Sequence, residues 1–482
     1  MTARAVMVLG TTSHAGKSWL ATALCRWAAR QGLKVVPFKA QNMSNNARVV
    51  AAPGDRFGEI GSAQYFQALA ARAVPEVRMN PVLLKPERDT ASQVVVMGQV
   101  RADLASVPWR ERSERLWPFA RDALDALMAE NDLVVLEGAG SPAEINLHAN
   151  DYVNMRSAMH AQAACLLVTD IDRGGAFAHL FGTHRLLPEA ESALIRGFVL
   201  NRFRGDASLL APGPQELQRL TGVPTVAVLP MWREHGLPEE DGMLDSVPAE
   251  HGEGSVIAVV AYPHISNLDE FQPLRMAAGV RLRWARKPAD LIDADWIVLP
   301  GSKQTASNLA WLRAQRMDHA IARHAAAGRR VLGICGGLQM LGDELRDPHR
   351  IDGDAAGLGL LPLVTQFEPE KLLRPTQARF ERLRGDWAAL TDSAFDGYEI
   401  RHGRTEASSD ADVALRNAAG EAIGWQRGSV LGLYAHGLFE SASAMHALFG
   451  AHTRTLDAVF DGLADFIDHH FEPQFLRRLL SI

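Results

Sequence analysis

Short apolar runs recur through the first half of the chain, at Ala5–Gly10, Lys34–Lys39, Leu133–Glu137, Cys165–Asp170, Gly197–Asn201 and Thr225–Leu229. None of them alternates between apolar and polar positions. A strand covered on both faces reads this way, because neither side meets water. Helical spacing fills several of the intervals. Between Ser18 and Gln31, the residues Leu20, Ala23, Leu24, Trp27 and Ala28 fall on one face, and Gly32 follows as a stop. Buried strands alternating with helices predict a doubly wound parallel sheet, an α/β fold.

From His235 to Ser255 the pattern breaks into an acidic stretch with Gly and Pro and no periodic apolar face. A linker is expected at 236–254, separating a domain at 1–235 from one at 255–482. Strand-like runs resume at Val256–Ala261, Val280–Ala285, Trp296–Pro300 and Arg330–Ile334, with helical spacing over Thr305–Ala327. They predict a second doubly wound, three-layer domain. Beyond Gly357 the texture is more β-like. After Ser441 it turns helical, as a tail expected to close over the second domain.

A chain of 482 residues exceeds one ordinary core and suits two or three domains. The formal net charge of −6, with basic residues scattered and never in a long run, argues against a nucleic-acid binder. Cys25, Cys165 and Cys335 lie far apart, so neither a disulfide framework nor a CxxC metal site is indicated. A reducing compartment follows. The N-terminal stretch does not read as a signal peptide, and no run is long and apolar enough for a membrane helix. A cytoplasmic protein is expected. The pattern carries no signal for an oligomeric state.

Two turns carry chemistry. Gly10-Thr-Thr-Ser-His-Ala-Gly16-Lys17-Ser18 leaves a strand and opens a helix. Glycines there let backbone N–H groups approach a phosphate. Lys17 would reach the terminal phosphates and the Ser18 hydroxyl would ligate Mg²⁺. The loop holds one residue more between its glycines than the common phosphate-loop pattern. It matches the Gly-Thr-x-x-x-x-Gly-Lys variant of dethiobiotin-synthetase-like proteins, which includes Thr11 and Gly16. Glu137 ends an apolar strand, with Gly138 and Gly140 keeping the following loop tight, where a carboxylate would face Ser18 across a metal ion. Asp170 has the same placement, and Lys39 and Glu59 are further candidates.

The second turn is Val331-Leu-Gly-Ile-Cys335-Gly-Gly-Leu-Gln-Met, which reads as strand, sharp turn and helix. This is nucleophile-elbow logic with cysteine in the place of serine. The sulfur is exposed at a helix N-terminus, where negative charge is favoured, and the N–H of Gly336 can face an oxyanion. Cys25 and Cys165 read instead as buried apolar residues. A cysteine nucleophile needs a base. His436, at the end of the strand before Gly437, stands above the other histidines by position. Gly301-Ser302, after another strand, offers a second oxyanion donor.

These residues carry a resemblance. GICGGLQMLG with LYAHGLF, and LPGSK, resemble the class I glutamine amidotransferase domain. PFKAQNMSNNA, MNPVLLKP, VVLEGAGSPAEIN, DIDRGGAFA, GFVLNRFRGD, ISNLDEF and GYEIRHG resemble the cobyric acid synthase family, in its order and over nearly the whole chain. The resemblance implies a dethiobiotin-synthetase-like P-loop domain followed by a flavodoxin-like amidotransferase domain. It implies ATP- and glutamine-dependent amidation of the b, d, e and g carboxylates of adenosylcobyrinic acid a,c-diamide, without a tightly bound organic cofactor. Under it, Cys335 is the glutaminase nucleophile and His436 its base, with Gln339, Gly336 and Gly301 holding glutamine and its oxyanion. Lys17, Ser18, Glu59 and Glu137 match ATP and Mg²⁺ residues, with Thr11, Gly16 and Lys39 beside them. Asn201 matches the adenine-reading position. Arg173, Arg202 or Arg204 would suit the acidic corrin.

Two departures stand out. Many class I amidotransferases carry an acid two residues after the histidine, and here that position is Leu438. No orienting acid is therefore assigned. His14 and Trp19 stand where Asp and Thr are expected. Free ammonia is mostly protonated near neutrality, so a protected path for it between the two domains is expected. The competing readings are a cobyrinic acid a,c-diamide synthase and a ParA-like ATPase switch with an inactive amidotransferase domain.

Overall fold

The structure is a computed structural model that describes residues 3–88, 91–238, 254–407, 411–450, 454–480 and 482. The expected linker at 236–254 lies almost wholly outside the described residues. Contacts divide the chain into two units. The first comprises Met1–Ser44, Val50–Leu237 and Thr455–Ile482, and the second Asn45–Val49 and Pro238–Arg454.

In the first unit, six parallel strands form the central sheet. They are β1 (Arg4–Gly10), β2 (Val35–Phe38), β3 (Leu133–Glu137), β4 (Ala164–Asp170), β5 (Ile195–Phe203) and β6 (Thr225–Pro230). Their order across the sheet is β6-β5-β4-β1-β3-β2. Along β1, Ala5, Met7 and Leu9 enter one core while Val6 and Val8 enter another. The unbroken apolar run of this strand has that cause: both of its faces are covered. Helix α1 (Lys17–Arg30) lies on the second face with Leu20, Leu24 and Trp27 buried. A smaller sheet of Gln41–Met43, Val82–Arg88, Ala91–Val96 and Gln99–Val100 accompanies the main one.

The helical tail is where the structure departs from expectation. Helix α2 (Leu456–His470) buries Val459, Phe460, Leu463 and Ile467 in the core that holds α1. Its aspartates face α1 as well. Arg26, almost fully buried, pairs with Asp457 at 2.6 Å and Asp461 at 2.8 Å, and the Trp27 indole N–H donates to Asp468 at 2.7 Å. Trp19, unexpected in a phosphate loop, packs edge-on against Phe466 of α2. Thr455–Ile482 therefore belongs to the first unit and not, as expected, to the second. An apolar stripe on α2 shows that the segment is amphipathic, but says nothing about which core receives it.

The second unit is built on β7 (Ser255–Val260), β8 (Val280–Ala285), β9 (Trp296–Leu299), β10 (Arg330–Ile334), β11 (Leu363–Phe380), β12 (Ala394–Ala407), β13 (Asp412–Asn417), β14 (Ala422–Arg427) and β15 (Val430–Leu433). Strands β8-β7-β9-β10-β15 run parallel, and the sheet continues antiparallel through β14, β13 and β11. The long β12 pairs with β11. The expected helix at Thr305–Ala327 is two, Thr305–Ala314 and Met317–Ala326, broken where Arg316 takes a left-handed conformation at φ 58°.

Candidate active sites

The first site lies at the carboxyl ends of β1 and β3, where open α/β sheets bind ligands. Gly16 has φ 101°, and a Cβ there would stand 2.1 Å from the Asn201 amide nitrogen. Only glycine fits. That nitrogen donates to the Ala15 carbonyl at 2.9 Å, so Asn201 braces the loop from β5. Thr11 ties the loop to β4: its hydroxyl donates to the Thr169 hydroxyl at 2.9 Å. Lys17 is folded over the loop, with Nζ donating to the carbonyls of Thr12 at 2.9 Å and Gly140 at 3.1 Å. The loop is held in shape by groups outside itself.

Glu137 is the centre of this site. Its Oε1 accepts from the Ser18 hydroxyl at 2.9 Å and from Lys39 Nζ at 2.7 Å, and its Oε2 accepts from the Gln67 amide at 2.6 Å. Burial alone would raise its proton affinity. The charge of Lys39 and the three donors outweigh that and hold the carboxyl below the usual range. Ser18, Lys39 and Glu137 are thus brought together. Glu59 forms a buried ion pair with Lys85 at 2.7 Å. Among the described residues, no cluster of three or more His, Cys, Asp or Glu side chains is arranged to hold a metal ion. A hydroxyl and a carboxylate oxygen 2.9 Å apart do fit Mg²⁺, which commonly takes few protein ligands and completes its shell with phosphate and water. Beyond Asn201, Phe203, Arg204, Pro230, Trp232 and His470 border a cavity of about 840 Å³. Arg173 and Arg202 both face Asp170, and Arg204 pairs with Asp172.

The second site sits at the carboxyl ends of β10 and β15. Cys335 has φ 52° and ψ −105°, a strained conformation for a side chain with a Cβ. The strain turns the chain sharply from β10 into the helix Gly336–Leu341. A Cβ on Gly337 would stand 1.9 Å from the Leu299 carbonyl oxygen, so the turn is pressed against β9. Gly336 lies against Ser302, with a Cβ there only 2.8 Å from the Ser302 nitrogen. Gly301 lies beside the histidine, since a Cβ there would meet His436 Cε1 at 3.1 Å. Gln339 is buried, and its Oε1 accepts from the Thr305 hydroxyl at 3.1 Å.

His436 neighbours Cys335 on one side, where the thiol donates to the Ile400 carbonyl at 3.5 Å. On the other, its Nδ1 lies 3.2 and 3.3 Å from the two carboxylate oxygens of Glu270. Both side chains are buried. Burial opposes the charged imidazolium, yet the charge of Glu270, the hydrogen bond its carboxylate accepts from Nδ1 and the neighbouring Cys335 sulfur raise His436 to about 10. The site therefore contains a Cys-His-Glu constellation. Glu270 was not assigned from sequence, because the position expected to hold the acid carries Leu438. The only pointer was its place in the ISNLDEF block. Cys25 and Cys165 are buried, and burial pushes the Cys165 thiol up to about 12 and Cys25 higher still.

Comparison with known proteins identifies the two domains. Residues 6–241 match the CobQ/CobB/MinD/ParA nucleotide binding domain, and residues 256–444 match the CobB/CobQ-like glutamine amidotransferase domain. The class is a nucleotide-binding P-loop domain joined in one chain to a glutamine amidotransferase domain. A cobyric acid synthase from Methylibium petroleiphilum is 73% identical over 99% of this chain and 97% of its own. One from Leptothrix cholodnii is 69% identical over the same shares. The chain belongs to the cobyric acid synthase family. Among solved structures, PurLQS from Thermotoga maritima aligns with 44% of this chain and 99% of its own, at 18% identity and a TM-score of 0.32. No helix among the described residues is long and apolar enough to cross a membrane.

Proposed function

We propose that this chain amidates the b, d, e and g carboxylates of adenosylcobyrinic acid a,c-diamide, consuming one ATP and one glutamine for each amide. The observation that carries the reading is the Cys335-His436-Glu270 constellation at the strained turn, in a chain whose other unit holds a braced phosphate loop. An inactive amidotransferase fold serving an ATPase switch would have no need to keep these three groups aligned. The names of the full-length relatives favour this substrate over the unamidated acid taken by an a,c-diamide synthase.

At the second site, the Cys335 sulfur attacks the side-chain amide carbon of glutamine. The oxyanion is met by the Gly336 N–H and by backbone of the Gly301-Ser302 turn. His436 donates its proton to the departing ammonia, and a thioester remains. Glu270 holds the imidazole ring and favours its charged form. Water then attacks the thioester with His436 as base, the C–S bond breaks to release glutamate, and the Cys335–His436 pair is restored. Gln339 lines the pocket for the substrate.

At the first site, a corrin carboxylate displaces ADP from the γ-phosphoryl group to give an acyl phosphate. Ammonia attacks its carbonyl carbon, and phosphate leaves. Lys17 and Lys39 bring positive charge to the phosphates, with Thr11 and Gly16 shaping the loop and Asn201 beside the base. Mg²⁺, held by Ser18 and Glu137, would neutralise charge on the transferring group. Three free, well-separated cysteines suit work in the cytoplasm.

The test uses two variants and the mass of the corrinoid product. Cys335→Ala is expected to lose glutamine-dependent amidation and keep amidation driven by concentrated ammonium salt. Lys17→Ala is expected to lose both. Retention of glutamine-dependent amidation in Cys335→Ala would remove the nucleophile assignment, and any amidation by Lys17→Ala would remove the ATP assignment.

A further inference from the structure

Asn45–Val49 lies far from the amidotransferase domain in sequence, yet it belongs to the second unit. Two polar contacts seat it beside Glu270. The Asn267 side-chain amide donates to the Ala47 carbonyl at 2.8 Å and also to the Tyr398 hydroxyl at 2.7 Å. The Leu268 N–H donates to the Asn46 side-chain oxygen at 2.9 Å. Arg48 follows, fully buried. Its Nε donates to Asp269 at 3.0 Å, its Nη2 also reaches Asp269, and its two Nη groups grip Glu440 at 2.5 and 3.0 Å. The other carboxylate oxygen of Asp269 is buried without a hydrogen-bond partner among the described residues.

The guanidinium also lies over the Tyr398 ring, 5.0 Å from its centroid. Tyr398 in turn stacks on the His436 ring at 5.1 Å and 17°. Backbone bonds between Tyr398 and His436 in both directions lock the two residues together. Arg48, Tyr398 and His436 thus form one pile, with the carboxylates along its edge.

We propose that Arg48 is a positioning residue of the glutaminase site: by neutralising Asp269 and Glu440 and backing Tyr398, it keeps Glu270 ionised and His436 aligned with Cys335. The inference rests on the glutaminase reading above. The titratable groups facing the His436–Glu270 pair are Cys335, Tyr262, Tyr398, Asp269 and Glu440, with Arg48 behind them. Asp269, Glu270 and Glu440 are three carboxylates in one buried neighbourhood. Glu270 already stands above the ordinary range, first through burial and then through the charges of Asp269 and Glu440, which act against His436. Like charges this close cannot all stay ionised without a counter-charge. Remove Arg48, and Glu270 takes up a proton at higher pH. A protonated Glu270 no longer supports the imidazolium.

The experiment follows glutamine hydrolysis against pH in the full chain for wild type, Arg48→Gln, Asp269→Asn and the double variant. Activity needs ionised Glu270, so it is present above the Glu270 midpoint and lost as pH falls through it. Arg48→Gln is expected to lower kcat/KM near neutrality about tenfold and to move the acid limb up by about one pH unit. Asp269→Asn removes a like charge while Arg48 remains, and its acid limb is expected to move down. In the double variant the limb returns toward the wild-type position. A purely structural role for Arg48 would lower the rate at every pH and leave the limb in place, and that result overturns the proposal. Should Arg48→Gln fail to fold, Asp269→Asn decides alone: a downward limb supports the proposal and an unmoved one overturns it. Absence of hydrolysis by the wild type would instead sink the glutaminase reading, before any variant is compared.

Discussion

Replacing Glu270 with Gln removes one charge from the middle of the glutaminase site and changes almost no volume. The carboxylate oxygens lie 3.2 and 3.3 Å from His436 Nδ1, with both side chains buried. A charge-assisted hydrogen bond is worth about 1.5–3 kcal/mol, which at about 1.4 kcal/mol per decade is roughly ten- to hundredfold in rate. Two further effects push toward the larger figure. The Gln amide can present its NH₂ to Nδ1 and stabilise the wrong tautomer, and burial then acts on His436 without the opposing charge. We therefore expect glutamine-dependent kcat/KM to fall about a hundredfold. Amidation driven by ammonium salt should stay at the wild-type level.

The pH profile separates this from general damage. His436 serves as a general acid and is raised to about 10, so wild-type activity holds below that value and fades as pH rises through it. Without the charge of Glu270 the imidazolium loses its main support. The alkaline limb should move to lower pH in Glu270→Gln. Glutamate release measured across the neutral and alkaline range is the assay. A variant within about threefold of wild type, with its alkaline limb unmoved, would refute the assignment of Glu270 as the third member.

Two other outcomes follow from the packing. Arg26 is buried, but its partners Asp457 and Asp461 are largely solvated, so Arg26→Met should cost little stability, about 1 kcal/mol or less. Asp457→Asn with Asp461→Asn leaves the guanidinium buried and unpaired, and should cost about 3 kcal/mol, so this double variant should melt at the lower temperature in thermal denaturation. In Gly403→Ala the new Cβ would stand 2.3 Å from the Gln339 amide nitrogen, the movable end of a side chain. The glutamine KM should rise about tenfold with ammonia-driven amidation unchanged, read from steady-state kinetics with each nitrogen source.

Local features of the chain announce themselves because they act locally. A strand buried on both faces is apolar along its length, so the expected run at Leu133–Glu137 coincides with a strand residue for residue, as do Arg330–Ile334 and the half-buried Val280–Ala285, where Arg281 and Arg283 alternate with apolar residues. A phosphate loop needs its glycines at set places, and a nucleophile turn needs small residues beside its cysteine. Both turns were therefore legible, as was His436 just beyond a strand.

What sequence reading missed depends on contacts between distant segments. Glu270 stands 166 positions from His436, in a different element from the one where the acid was sought. Arg48 sits in a block read as part of the front half, and its carboxylates lie at 269 and 440. The helix at Leu456–His470 has an apolar face that would suit either core. Only its partners, Arg26 and Trp27 across from its aspartates, assign it to the first unit. Hydrophobic spacing specifies that a face will be buried, because burial is a property of the segment itself. Which surface buries it, and which charge answers a buried charge, are properties of pairs, and folding alone selects them.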